Sequence, residues 1–132
     1  MRAITLSVAA ALLTGALATT LWAQAKVEDK KVEGELVDMH CYSKGGSKGD
    51  GHASCGEKCL KSGIPGGILS AGKVLTIATN PAPLAEYVGR TIRIDGKVNE
   101  ETHSIVPTKI EVKKDDNWEE IKMQSLTYDH KK

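Results

Sequence analysis

A chain of 132 residues with 18 basic and 17 acidic side chains lacks the positive excess that draws a protein to nucleic acid or anionic lipid. With no phenylalanine and three cysteines, it has material for one small domain whose interior must come from valine, isoleucine and leucine. Domains of that size commonly need a disulfide or a metal to hold them together.

In chain order, residues 1–25, MRAITLSVAAALLTGALATTLWAQA, have the parts of a secretory signal: a basic start at Arg2, an apolar stretch, and Ala23-Gln24-Ala25 as a small-x-small cleavage site. The stretch approaches the roughly 20 residues that span a bilayer, but its alanine, threonine and glycine make it weakly hydrophobic, which favours cleavage over a retained anchor. Without Arg2, basic and acidic residues are equal in number. The expectation is a single periplasmic or secreted domain, residues 26–132, with no membrane attachment after cleavage and no nucleic-acid partner.

Residues 26–31, KVEDKK, read as a frayed charged lead-in, and 32–39, VEGELVDM, as a strand with Gly34 marking a bulge. The segment SKGGSKGDG, 43–51, is glycine-rich and without apolar residues, hence a flexible loop. It has neither the GK[ST] ending of a phosphate loop nor the alternating acids of a calcium loop. Ser54 to Glu57, SCGE, fits a capping box, and Gly63 with Pro65 gives a stop, so a two-turn helix is predicted over 55–62. Such a helix is too short to stand alone in water.

Strands follow at 67–70 and 73–79, joined at Ala71-Gly72 as a hairpin. A helical turn is expected over 84–88, closed by Gly89. Residues 91–98 alternate, with Ile92, Ile94, Gly96 and Val98 on one face. Another strand covers 105–112, interrupted by Pro107, with Ile110 and Val112 inward. The tail from Lys113, with Trp118, Ile121, Met123 and Leu126, suits either an edge strand or a helix. The expected architecture is mainly β, a small OB-like barrel with one short helix carrying a CxxxC pair in a Cys/His insert over about 40–65.

All three cysteines and two of the four histidines fall between His40 and Cys59. On a helix, Cys55 and Cys59 share a face, with alpha carbons about 6 Å apart. Two thiolates so placed can reach one ion at bonds of about 2.3 Å, whereas their parallel side chains suit a disulfide poorly. With His52 in the loop before the helix and Cys41 at the end of the first strand, the set Cys41, His52, Cys55 and Cys59 composes a Cys3His site. It suits zinc or copper, with iron not excluded. Strand alternation places Met39 on the face of Cys41 and His40 opposite, making Met39 a weak soft donor. Asp38 and Asp95 read as solvated surface carboxylates, with support of a ligand from behind or shaping of a turn as the alternative.

Two other chemistries compete. An exported protein meets oxidants, and a bridge from Cys41 to Cys55 or Cys59 would tie the glycine-rich loop and leave one thiol over. Cys55 as nucleophile with His52 as base would make a thiol enzyme, but no third orienting residue is evident and CxxC is missing. The absence of CxxCH argues against a c-type haem.

ELVDMHCY, HASCGEKCLKSGIPGGIL and YVGRTIRIDGKV together resemble a group of small exported bacterial proteins of unknown function. Their pattern is DxxCY at a strand end, a variable glycine-rich loop, HxxCxxxC, GxP and a β-barrel strand GxTxxxxGxV. The resemblance spans about 33–112 and implies Cys41, His52, Cys55 and Cys59 as the positions of interest, without an established activity. The expected function is a metal-binding accessory, with metal delivery or electron transfer to a redox or metalloprotein partner. The competing class is a disulfide-stapled binding module without metal.

Overall fold

The computed structural model describes residues 26–123; the expected signal segment, and Leu126 in the tail, lie outside the described residues. Strand β1, Val27–Asp38, begins well before the alternating pattern suggests. The charged lead-in is strand because its backbone pairs with β4, Thr91–Asn99, from Val27↔Asn99 through Glu35↔Thr91. Exposed ion pairs such as Lys31–Asp95 at 3.3 Å lie across that register. Pairing partners, rather than hydrophobic period, hold this half of β1.

The far end of β1 pairs with β2, Gly66–Ser70, from Glu35↔Leu69 to Asp38↔Gly66. Glu35 therefore belongs to both ladders. The unbroken register past Gly34↔Ile92 corrects the expected bulge. Gly34 instead permits a close crossing, since a Cβ there would run into the Leu69 carbonyl.

The hairpin forms as read, between β2 and β3, Lys73–Ile77. Ala71 and Gly72 both have left-handed φ, 48° and 76°, as the tight turn that matches strand twist requires. The helical turn before β4 is a 3-10 turn, Ala82–Tyr87. β4 buries Ile92, Ile94, Gly96 and Val98, the face its alternation marked.

β5, Ser104–Lys114, runs antiparallel to β4 with a register shift between Asp95 and Gly96. Pro107 faces Gly96 at that irregularity, where a residue without an N–H costs the ladder least. The opposite edge of β5 is shared. β3 pairs with it in parallel at Thr76↔Ser104 and Ile77↔Ile105, and β6, Asn117–Glu120, pairs antiparallel at Glu111 to Lys114. The undecided tail is thus an edge strand as far as Glu120.

The fold is mainly β, a six-stranded sheet ordered β3-β2-β1-β4-β5-β6 with the added β3–β5 pairing. Its enclosed face is aliphatic: Leu36, Ile68, Ile77, Ile92, Ile94, Val98, Ile105, Ile110 and Val112 are all buried. Leu60 and Leu84, from outside the sheet, join the same core. Among the described residues, no helix is long and apolar enough to cross a membrane.

Candidate metal centre

Cys41 does not end a strand. At Asp38, whose backbone is still extended, the chain turns into helix α1, Met39–Gly45. The Asp38 carboxylate accepts the Cys41 N–H at 2.8 Å, and the Met39 N–H donates to the Pro65 carbonyl at 3.0 Å. Asp followed three residues later by Cys is the N-cap-to-N3 spacing. That signal was present in DMHC, but the strand alternation from Val32 ran straight through it. The helix removes the expected sharing of a strand face by Met39 and Cys41. The Met39 sulfur packs over Gly67, and His40 is exposed.

The glycine-rich segment is not one loose loop. Its first residues complete α1, which stops at Gly46 with φ 70°. The Gly49 N–H donates to the Glu35 carboxylate, and Asp50–His52 form a 3-10 turn leading into helix α2, Ala53–Lys61. The capping box expected at Ser54 and Glu57 does not form, because the helix starts earlier, with His52 at the N-cap position. Glu57 instead pairs with Lys61, one helical turn on. The stop is as read: Gly63, at φ 95°, lets the Ile64 N–H reach back to the Cys59 carbonyl at 3.0 Å.

His52 does not cap α2 with its side chain. Its Nε2 lies 2.6 Å from Asp38 Oδ2. Asp38 is completely buried, so one carboxylate holds the N-terminal turn of α1 through Oδ1 and the entrance to α2 through Oδ2. The solvated reading of Asp38 is thereby corrected, while its alternative, a carboxylate that shapes a turn and stands behind a candidate ligand, is the one the geometry supports. Asp95, by contrast, pairs with Lys31 on the sheet. Gly56, on the inner face of α2, has no room for a side chain: a Cβ would stand 2.5 Å from Val88 Cγ1 and 3.3 Å from Asp38 Oδ2. Leu60, one turn further, anchors α2 in the core.

This packing brings Cys41, Cys55 and Cys59 together, with their sulfurs all within 4.8 Å of one another. Sulfurs around a tetrahedral ion with bonds of about 2.3 Å stand about 3.8 Å apart, so small rotamer changes suffice to close on one cation. The three are free thiols. His52 falls in a second set, with Asp38 and Cys41, whose donor atoms also lie within 4.8 Å of one another. His52 is thus not brought within that distance of all three sulfurs, and an ion bound through its Nε2 would displace the hydrogen bond to Asp38. The three-sulfur set carries no such cost.

The field around the cluster is negative. Burial works against the Asp38 anion, but the Cys41 N–H and the His52 ring outweigh it and hold its carboxyl below the usual value. Burial, then the Asp38 charge, push the Cys41 thiol up to about 11; the same two causes raise that of Cys59. At neutral pH these sulfurs keep their protons until a cation takes their place, so metal binding here is coupled to proton release. The arrangement disfavours Cys41 as the ionised thiolate that would react first with an incoming reagent.

Fold and cluster define a small, mainly β protein with a cysteine-rich group able to hold a metal ion. No protein-family model, curated protein or solved structure matches the chain.

Proposed function

We propose that the protein is an exported metal-binding accessory, holding one thiophilic ion, zinc or copper, through Cys41, Cys55 and Cys59 with His52 as the fourth ligand. The observation that carries this reading is the convergence of three sulfurs from two separate helices. With the Asp38 anion accepting from Nε2, a neutral His52 ring keeps its lone pair on Nδ1, the nitrogen then left for an ion. A carboxylate behind a ligating histidine fixes its tautomer and orientation. Exposure of Cys55 favours exchange of the ion with a metalloprotein or redox partner over a sealed structural site. The pairing circuit β1–β2–β3–β5–β4–β1 supports an OB-like barrel as the scaffold. The leader pattern and the resemblance to small exported bacterial proteins support a periplasmic or secreted location.

Elemental analysis of the mature protein purified from the exporting compartment, with thiols counted before and after chelation, tests the reading. One equivalent of metal and three thiols unmasked by chelator are expected, and Cys59→Ser should abolish stoichiometric binding. Metal content unchanged in that variant would refute the ligand set. No metal together with a single free thiol would assign the cysteines to a structural bridge.

A further inference from the structure

The two helices place one sulfur at the surface and two beneath it. Cys55 is exposed, while Cys41 and Cys59 are half-buried, all within mutual reach. A dissolved oxidant therefore meets Cys55 first. Its neighbours are not equivalent as partners. Cys59 lies on the same helix at a spacing of four, where side chains emerge nearly parallel and the disulfide dihedral of about 90° is hard to reach. Cys41 comes from α1, which buries none of its residues. It can approach α2 without removing apolar surface from the core.

We infer that the cluster has a second, oxidised form, in which Cys55 reacts with a hydroperoxide and Cys41 closes the product to a Cys41–Cys55 disulfide, expelling any bound ion. In the first step the Cys55 thiolate attacks the outer oxygen of the peroxide. The O–O bond breaks, the alcohol or water leaves with a proton, and Cys55 becomes a sulfenic acid. In the second, the Cys41 sulfur attacks that of Cys55. The S–S bond forms as the S–O bond breaks, and the hydroxyl departs as water with the proton of the Cys41 thiol. The peroxide is reduced by two electrons and the thiol pair oxidised by two. An ion held by three sulfurs would lose two of them, leaving Cys59 and the histidine. Only this ion release rests on the metal reading above.

The test uses the mature chain with hydrogen peroxide, first stripped of metal and then loaded with zinc. In the stripped protein, free thiols should fall from three to one, and peptide mapping should join Cys41 to Cys55 within one chain. Cys41→Ser should stop at a Cys55 sulfenic acid trapped by a cyclic dione, and Cys59→Ser should still form the bridge. In the loaded protein, zinc captured by a chromophoric chelator should appear in step with thiol loss. A Cys55–Cys59 bridge, a bridge between chains, or Cys55 oxidised to sulfinic acid beside a free Cys41 thiol would overturn the inference. If zinc does not bind, the metal reading falls while the bridge is still decided in the stripped protein. Zinc bound without any bridge reverses that outcome.

Discussion

The sheet and the two-helix segment that carries the cysteines are held by different physics. Strands β1 to β5 share a continuous aliphatic interior in which Ile92, Ile94, Ile105 and Ile110 are fully buried, and burial of apolar area is additive and tolerant of detail. The helices contribute little to it: α1 buries no residue and α2 only Gly56 and Leu60. Their placement depends on Asp38, which bonds to both entrances, and on a glycine that lets α2 lie against Val88. A scaffold stabilised by many weak contacts thus carries a site positioned by a few specific ones. Damage to the first should be global, and damage to the second local.

The contrast is sharpest for a core truncation. Ile94→Ala should lower global stability by about 2–5 kcal/mol through lost transfer energy and the cavity left behind, seen as one earlier transition in urea. Asp38→Ala should cost about 2–3 kcal/mol, since it removes a helix cap and a charge-assisted hydrogen bond together. Hydrogen exchange should show α1 and α2 losing protection while β4 amides keep theirs; equal loss throughout would erase the distinction between the two regions. Gly56→Ala should cost about 1–3 kcal/mol by overpacking, with faster labelling of Cys59 by a thiol reagent as α2 lifts from Val88. Unaltered labelling would show that α2 does not depend on that close approach.

The smallest effect belongs to a charge cluster on the sheet. The hydrogen bonds from Lys109 and Arg93 hold the Glu111 carboxyl below its ordinary value of 4.5. A lowered folded-state value means that this contribution is present above the ordinary value and is lost as pH falls through the lower, folded one. Urea midpoints of the wild type and Glu111→Gln should therefore differ at neutral pH and converge in acid. A gap that persists unchanged in acid would assign the effect to packing against Arg93, whose guanidinium lies 4.2 Å over the Trp118 ring.

The same division explains what could be read from the residues alone. The Ala71-Gly72 hairpin, the inward face of β4 and the stop at Gly63 were legible because turn chemistry and period-two burial are local properties. The gathering of Cys41, Cys55 and Cys59 was legible because cysteine is scarce and its spacing telling. The charged start of β1 was not, since only β4, more than fifty residues away, makes it a strand. Nor was the role of Asp38, where a strand pattern and a helix cap overlap in the same four residues. The capping box at Ser54 misled because the 3-10 turn at Asp50–His52 supplies an earlier start to α2.

Strand β6 bears on how the molecule meets its own copies. It is four residues long, and Asn117, Glu119 and Glu120 are exposed on it. A second chain adding to this border in register would set like charges side by side, which discourages open-ended stacking. Growth of the sheet from one copy to the next through this strand is thus opposed by its own carboxylates.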